Sequence, residues 1–363
     1  MVVSTITERG RVTLKLRLLA LVACAAFAVI GFAASGMAAS TNKTVVVYDD
    51  FSSGTNANWS NGPYGLGEIA APDANHFESF ANGAERVRAV PFETGADYSV
   101  YDHLKYIEIS NSAFPVPSKG SVEFSSDMTA QTPGTITPLL QHGVYGPSGT
   151  WTDPTLPPPS GFAPYQANVL QGQQAGVVMN MVDFCTGQLF DWFLAGNTAF
   201  TLIERLPTSV TNNTATAGCT FVGADKMYTQ IADEVKVTPG AHHVSILYSA
   251  NQNAVEYRLD GKLVTRINDV GIPLDKQHVK FTGTYPSLGA GENLKGKIGS
   301  FSIGHGLFSL IDAFPFQHPD VPALSVSIPV GSANPADAGK ARLFGQGADG
   351  TWDNFVVTTI DKE

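Results

Sequence analysis

The sequence is poor in cysteine, in charged residues and above all in positive charge. Three of its 363 residues are cysteines, 15% are charged, and 22 Lys and Arg oppose 32 Asp and Glu, for a formal net charge of −10. An acidic chain repels a phosphate backbone, so nucleic acid is not an expected partner. Polyanionic polysaccharides usually meet a basic groove, so this charge favours neutral ligands.

Several sequence signatures of catalytic sites are also missing. The chain contains no G-x-S-x-G, H-E-x-x-H or C-x-x-C run. Serine esterase, zincin and thioredoxin-like functions therefore have no motif support. His242-His243 precedes a predicted strand without a third ligand at suitable spacing, so no zinc site is expected there.

The first 39 residues have the pattern of an export signal. Basic residues precede an almost uncharged apolar run over 18–32, and small residues follow it at Gly36-Met37-Ala38-Ala39. This pattern predicts a signal peptide over 1–39 and a secreted protein, extracellular or periplasmic. The apolar run is short for a bilayer span, so no membrane contact is expected after cleavage. Leu21-Val22-Ala23-Cys24 matches a lipoprotein box, which leaves lipidation of Cys24 as an alternative.

Two cysteines follow the predicted signal, Cys185 and Cys219. In an oxidising compartment an even pair usually forms a disulfide, which would tie the end of one predicted strand to a later segment. Two buried thiols are the alternative.

Short strand patterns separated by turn residues fill the rest of the chain, and Asp260-Gly261 predicts a hairpin between strands over 254–259 and 262–267. The three most apolar ones, over 177–185, 189–195 and 200–206, follow one another with two short turn signals between them. Strands that are apolar on both faces lie inside a sandwich, so we expect these three in the middle of a sheet. With about a dozen strands and no convincing helix, residues 40–363 are predicted to form one all-β domain, a two-sheet antiparallel β-sandwich.

Residues 141–166 are rich in proline, glycine and aromatic residues. This composition predicts a long ordered loop, of the kind that forms a lid over a binding groove. Aromatic faces match the apolar face of a pyranose ring, so Trp151 and Tyr165 are predicted to contact a sugar. A linker between domains is the alternative.

The three central strands carry a candidate pair of carboxylates. If each turn contains two residues, Val182 pairs with Asp191 and Leu189 pairs with Glu204. Asp191 and Glu204 are then diagonal neighbours on one face, with Cβ atoms roughly 6–8 Å apart, close enough for split pKa values. A slip of one residue in either turn would move a strand to the other face.

The same alternation places Asn180 on the face of the two carboxylates, where it is a candidate ligand-binding residue, and it places Asp183 and Arg205 on the opposite face. Asp191 and Glu204 could act as general acid and base, or as acid and nucleophile, in a groove on that face. Alternatively, Glu204 forms a salt bridge at a strand end and Asp191 accepts hydrogen bonds from a loop.

His103 is a second candidate ligand-binding residue. With Asp102 and Lys105 beside it, and a tyrosine such as Tyr145, it could supply the base of a polysaccharide lyase. A structural histidine is the alternative.

Four groups of residues carry a resemblance to the concanavalin A-like lectin and glucanase superfamily of jelly rolls. These groups are Tyr48-Asp49-Asp50-Phe51 with Trp59, His243-x-x-Ile246-x-Tyr248, Val255-Glu256-Tyr257-Arg258-Leu259-Asp260-Gly261 and Trp352-Asp353-Asn354-Phe355-Val356-Val357. The resemblance implies a jelly roll and a bias toward glycan ligands, although fold does not imply function. Laminarinase-type hydrolases of this superfamily carry an E-x-D-x-x-E run on one strand. The sequence lacks that run, so that hydrolase class is not expected.

Three further motifs are similar to a family of secreted microbial proteins that has this fold and no assigned activity. They are Asp102-His103-x-Lys105, Thr186-Gly187-x-x-Phe190-Asp191-x-Phe193 and Glu204-Arg205-Leu206-Pro207. This narrower resemblance implies no particular substrate.

The superfamily resemblance also implies a structural calcium ion. Its first and last strands are usually neighbours, and an acidic residue of the closing strand often holds calcium with oxygens of the opening segment. Asp353 occupies the matching position, and Asp49 and Asp50 lie in the opening strand. Two or three carboxylates with carbonyls and water would satisfy the ion. In the alternative, Asp353 caps a turn and the other two are solvated.

The leading interpretation is a secreted, monomeric protein that recognises a carbohydrate of unassigned specificity. A polysaccharide-cleaving enzyme, hydrolase or lyase, that uses Asp191 and Glu204 is one alternative. A structural or adhesion protein of the cell envelope is another. The sequence does not decide whether the chain is an enzyme.

Overall fold

The strand patterns of the sequence form layered antiparallel sheets in a computed structural model. The structure describes residues 41–61, 72–93, 103–135, 139–145, 151–152, 163–211, 218–223, 225–274, 281–282, 289–310 and 345–362. The predicted signal and Cys24 lie outside these residues.

The described residues form short strands and two one-turn helices. In chain order the elements are β1 Thr41–Asp49, β2 Trp59–Asn61, β3 His76–Ala81, β4 Ala84–Ala89, β5 Leu104–Ser110, β6 Phe114–Pro115, β7 Ser121–Gln131, β8 Leu139–Tyr145, β9 Trp151–Thr152, β10 Ala163–Val169, α1 Gln171–Gln174, β11 Gly176–Asp183, β12 Gln188–Ala195, β13 Thr198–Arg205, α2 Thr208–Thr211, β14 Tyr228–Lys236, β15 His242–Ser249, β16 Ala254–Leu259, β17 Lys262–Ile267, β18 Phe281–Thr282, β19 Ser300–Phe308 and β20 Ala348–Lys362. Within the described ranges, no helix has the length and apolar character that a membrane crossing requires.

Two large sheets build the sandwich. The eight-stranded sheet has the order β17-β16-β15-β7-β20-β4-β3, with β1 also paired to β20. The nine-stranded sheet has the order β18-β14-β13-β12-β11-β19-β5-β2, with β6 paired to β19. The predicted all-β, two-sheet antiparallel jelly roll is confirmed, and the three central strands β11, β12 and β13 lie in the middle of a sheet as expected.

The core lies between the two large sheets. Trp192 on β12 donates its Nε1–H to the Ser245 carbonyl on β15 at 2.9 Å, and Trp352 on β20 donates to the Val178 carbonyl on β11 at 3.1 Å. Each indole thus crosses from one sheet to the other and satisfies its polar atom there. Strand β7 alternates between buried and half-buried positions, as a strand with one outward face should.

Turn chemistry fixes two of the hairpins. Asp260 and Gly261 have φ values of 50° and 75°, the left-handed pair that a two-residue hairpin turn needs. The strands on both sides, β16 and β17, end where the sequence predicts. Between β12 and β13, Gly196 and Asn197 also form the predicted two-residue turn, and Ala195 pairs with Thr198.

The turn between β11 and β12 is longer than predicted. Asp191 pairs with Asn180 rather than with Val182, because four residues separate the two strands. The Asp183 carboxylate accepts hydrogen bonds from the Cys185 amide at 3.0 Å and from the Thr186 hydroxyl at 2.7 Å, which stabilises this wider turn. The prediction of a two-residue turn was wrong. The resulting shift of two residues leaves every side chain on its predicted face.

The predicted disulfide between Cys185 and Cys219 is present, with Cα atoms 4.7 Å apart. The Thr220 amide also donates to the Cys185 carbonyl at 3.1 Å. Together these bonds tie the turn before β12 to the segment after residue 218.

Part of the segment 141–166 has regular structure, contrary to the prediction of a loop. Strands β8, β9 and β10 form a three-stranded sheet in the order β10-β8-β9. Pro164 lies on β10, which is an edge strand, and an edge tolerates a residue that has no amide hydrogen. The remaining part of that segment lies outside the described residues.

Candidate functional site

The three central strands present two different faces. On one face Met179, Trp192 and Ile203 join the core between the large sheets. The opposite face, which we call the outer face, carries Asn180, Asp191 and Glu204 by the alternation of each strand. The structure therefore places the two predicted carboxylates and Asn180 together.

Asn180 and Asp191 are direct neighbours across β11 and β12. The Asn180 Nδ2 donates to Asp191 Oδ1 at 2.6 Å. Glu204 lies diagonally from Asp191, since Asp191 pairs with Leu202 on β13. It accepts a hydrogen bond from the Thr229 hydroxyl on β14. Among the described residues no cation pairs with Glu204, and its partner there is this hydroxyl group.

Both carboxylates are shielded from solvent. Asp191 is 2% exposed and Glu204 is 8% exposed. A cluster of apolar side chains shares the outer face with them, consisting of Val178, Phe193, Phe200, Leu202, Ile231, Phe308 and Leu310. Neither carboxylate therefore lines an open groove in this structure.

Burial sets the protonation of the pair. It raises the pKa of Asp191 well above its usual range, and the nearby Glu204 raises it further, while the Asn180 hydrogen bond opposes the shift. Burial also raises the pKa of Glu204 to about 7, against the opposing hydrogen bond from Thr229. Both groups hold a proton more readily than an exposed carboxyl group would.

A glycine on β19 makes room for the Asn180 carboxamide. A Cβ atom at Gly304 would lie 2.7 Å from Asn180 Oδ1 and 2.6 Å from the Cδ1 of Ile109. Sequence analysis missed both Gly304 and Thr229, because the strands that bring them to the site pair with β11 and β13 only in the folded sheet.

Asp183 and Arg205 lie on the core-facing side, as predicted. The fully buried Arg205 guanidinium donates to the Thr186 carbonyl at 3.1 Å and to Glu292 Oε2 at 2.9 Å. Arg205, Lys226 and Lys297 hold the pKa of Glu292 down at about 2, although partial burial opposes them. This end of the strands is a structural ion network.

His103 lies just before β5, at the edge of the outer-face cluster. Its ring centroid is 6.0 Å from that of Phe308, and its carbonyl accepts the Ser309 amide at 2.8 Å. Lys105 points elsewhere, since its ammonium group donates to the Glu93 carbonyl. Asp102 lies outside the described residues, so the role of His103 stays a prediction.

Trp151 and Tyr165 are strand residues of the three-stranded sheet. Trp151 pairs with Tyr145, and Tyr165 pairs with Gly143. Their side chains lie outside the described part of the structure.

The closing strand meets the opening strand, as the calcium prediction requires. Strand β1 pairs with β20, and Asp353 on β20 pairs with Asp127 on β7. Partial burial raises the pKa of Asp353, and the charges of Asp127 and Asp50 raise it further. Asp49 accepts hydrogen bonds from the Phe51 amide, Asn58 and Trp59, so it is not the solvated residue of the alternative. The calcium ion itself stays a prediction.

One candidate metal-binding cluster was missed by sequence analysis. Glu85, Glu108 and His305 offer ligand atoms that all lie within 4.8 Å of one another, and no other set of three among the described residues does so. The only local signal is the run Gly304-His305-Gly306, a histidine between glycines in an apolar strand. The two glutamates come from strands far away in sequence.

Several solved structures are similar to this chain. An endo-1,3-β-glucanase from Streptomyces sioyaensis matches over 89% of this chain and 97% of its own, with 10% identity and a TM-score of 0.39. A Crh5 transglycosylase in complex with NAG matches over 90% and 86%, with 11% identity and a TM-score of 0.38. A laminarinase from Flavobacterium sp. UMI-01 matches over 87% and 99%, with 9% identity and a TM-score of 0.36. At such values the activities of these enzymes carry no argument about this chain.

No protein of curated function matches this sequence. A family profile matches residues 163–361, which is more than half of the chain and includes the central strands, the disulfide and the closing strand. The chain therefore belongs to the family described as "Family of unknown function (DUF6081)".

Proposed function

We propose that the protein is secreted and binds a neutral carbohydrate through the three-stranded sheet β10-β8-β9. The observation that carries this proposal is the register of that sheet. Tyr145 pairs with both Trp151 and Ala163, and Tyr165 pairs with Gly143, two residues along β8. Since directly paired residues share a face and alternate residues of a strand return to it, Tyr145, Trp151 and Tyr165 fall on one face.

Three aromatic positions on one face suit a sugar ligand. Aromatic rings supply a rigid apolar surface, and Tyr and Trp also offer a polar group at the ring edge for hydroxyl groups. The net charge of −10 supports a neutral glycan over an anionic one. Because the acidic pair on the outer face is buried, binding rather than cleavage agrees better with the structure.

Glycan-array screening followed by calorimetry on the best ligand tests this proposal. We expect Trp151→Ala and Tyr165→Ala each to weaken binding by about 5- to 30-fold, as loss of one aromatic contact on the order of 1–2 kcal/mol implies. The melting temperature should change little. The control is Phe77→Ala on β3, an exposed aromatic residue of the eight-stranded sheet, which should bind normally.

Two results would contradict the proposal. If Trp151→Ala loses folding as well as binding, Trp151 is a core residue. If no glycan binds at all, a structural or adhesion role in the cell envelope becomes the better interpretation.

Polysaccharide cleavage by Asp191 and Glu204 is a second candidate. It is supported by the pKa of about 7 at Glu204, a value suited to a general acid near neutral pH. Cleavage would require the apolar side chains of the outer face to move away from the two carboxylates, so that a substrate could reach them. Reducing-end assays detect a hydrolase and absorbance at 235 nm detects a lyase. Activity that survives in a variant with both Asp191→Asn and Glu204→Gln would remove the pair from catalysis, and Glu234→Gln on the neighbouring strand is the control.

A further inference from the structure

A buried polar cluster connects the two large sheets. Its residues lie on strands other than the three central ones. Glu85 lies on β4 of the eight-stranded sheet, and Glu108 and His305 lie on β5 and β19 of the nine-stranded sheet. All three residues are 0% exposed. His305 Nε2 lies 2.6 Å from Glu85 Oε2 and 3.5 Å from Glu108 Oε2.

The cluster contains more acidic than basic groups. A third carboxylate, Glu78, joins it through the Tyr106 hydroxyl, which is 2.9 Å from Glu78 Oε2 and 3.2 Å from Glu85 Oε1. In the described part of the chain, the only cationic side chain that pairs with these glutamates is His305. Three carboxylates thus share one imidazole, and buried charges are normally paired or bound to a metal.

Two buried atoms of the cluster have no hydrogen-bond partner among the described residues. They are Glu108 Oε2 and His305 Nδ1, whereas most buried polar atoms in folded proteins do have one. Only Glu108 Oε2 lies beside the other ligand atoms, because His305 faces the two glutamates with Nε2. The other oxygen of Glu108 accepts from Asn56 Nδ2 at 2.6 Å, so the carboxylate is oriented with one free oxygen toward His305. The separation of 3.5 Å between Glu108 Oε2 and His305 Nε2 is long for a hydrogen bond. It lies within the roughly 3.3–3.6 Å between two ligands of a tetrahedral zinc ion that binds each at about 2.0–2.2 Å. The 2.6 Å between His305 Nε2 and Glu85 Oε2 would widen to a similar value when an ion enters.

Aromatic side chains enclose the histidine. Its ring centroid lies 4.4 Å from Trp59, 4.9 Å from Trp352 and 5.1 Å from Phe355. Such a shell excludes water and fixes the imidazole plane, both of which favour a metal ligand that is held in one orientation. Glu78 is only half-buried, so it lies on the side from which an ion could enter.

We propose that Glu85, Glu108 and His305 bind one divalent transition-metal ion, with zinc as the best fit. An imidazole nitrogen and two carboxylate oxygens form a ligand set that zinc accepts, with Glu78 or a water molecule available for the fourth position. Calcium is a poor fit because it takes only oxygen ligands, about six to eight of them. Entry of the ion displaces the proton between His305 Nε2 and Glu85 Oε2 and links β4 to β5 and β19.

Zinc binding to the purified protein tests the proposal. The protein is stripped with a chelator, freed of it, and titrated with zinc chloride, with bound metal counted by mass spectrometry. We expect one zinc ion per chain and a higher melting temperature, because the ion binds only the folded state. Glu108→Gln, which keeps the size of the side chain, should weaken zinc binding at least tenfold. His243→Gln is the control, since His243 is an exposed histidine paired with Asp127, and it should bind zinc as the unmodified protein does.

A fluorescence measurement on the unmodified protein keeps the proposal testable if Glu108→Gln fails to fold. Cobalt(II) in the site would lie near Trp59 and Trp352, so it should quench their emission in a saturable way that zinc reverses. Failure to bind zinc, equal zinc binding by Glu108→Gln, loss of binding in His243→Gln, or no saturable quenching would each overturn the proposal.

Discussion

Glu204 is a residue whose protonation should affect the stability of the whole chain. Burial raises its pKa from 4.5 to about 7 in the folded state. Between these two values the folded chain holds a proton that the unfolded chain has released. The stabilising contribution is therefore complete below about pH 4.5 and is lost as the pH rises through about 7. A shift of this size corresponds to on the order of 3 kcal/mol.

Glu204→Gln should remove this pH dependence. We expect the variant to be more stable than the unmodified protein at pH 8 and about equal to it at pH 4.5, because glutamine has no proton to lose. Urea unfolding at several pH values from 4.5 to 8 measures the free energy of unfolding for both. Glu234→Gln, an exposed residue on β14, is the control. If the two pH curves run parallel, the pKa of Glu204 is not raised.

At the scale of single residues, part of the candidate site on the outer face could be predicted from the sequence. Asn180, Asp191 and Glu204 could be placed on one face because alternation is a local property of each strand, and even the wrong turn length preserved the faces. Thr229 and Gly304 could not be predicted to contact them. Gly304 lies on β19, far along the chain from β11, and no tight turn fixes the register between β13 and β14, which carries Thr229. The order of strands in a sheet cannot be read from one local pattern.

At the scale of elements, the junction of β1, β20 and β7 is the place to test the predicted calcium ion. Asp353 pairs with Asp127, and the charge of Asp50 also reaches it. A bound cation would remove this repulsion between like charges. The opening strand β1 pairs along β20, so a stabilised junction would also fix that strand.

We expect calcium to raise the melting temperature of chelator-stripped protein and Asp353→Asn to abolish the rise. Glu108→Gln should keep the calcium-induced rise, because Glu108 belongs to the proposed zinc cluster and not to this junction. The two variants therefore separate the response to calcium from the response to zinc. Calorimetric scans with and without calcium measure the effect. An unchanged melting temperature on adding calcium, with Asp353→Asn equally stable, would rule out an ion at this junction.

The elements themselves were predictable to different degrees. The hairpin of β16 and β17 was predicted with its correct ends, because the Asp260-Gly261 pair specifies a turn by its own backbone preference. Proline content pointed to a loop over 141–166, yet Pro164 lies on an edge strand where its missing amide hydrogen is tolerated. Composition alone cannot distinguish an edge strand from a loop. In both, the backbone nitrogen of a proline can lie where no hydrogen bond is required.

At the scale of the whole molecule, the antiparallel pairing and the two-sheet sandwich followed from the pattern of short apolar runs and turns. The number of strands was underestimated, since about a dozen were expected and the described residues form twenty. The order of strands in each sheet did not follow from that pattern. Neither did the third sheet or the cluster of Glu85, Glu108 and His305, because both depend on which distant strands become neighbours.

The position of β20 has a consequence for how the chain reaches its fold. Its residues, Ala348–Lys362, are made after every other described strand, yet they pair with β1, β4 and β7, which are made early. Until β20 is synthesised, these three strands lack their shared neighbour and keep open edges that invite aggregation. Such a high contact order makes folding slow and prevents the eight-stranded sheet from closing on the ribosome. The nascent chain should therefore depend on chaperones that cover those edges until synthesis is complete.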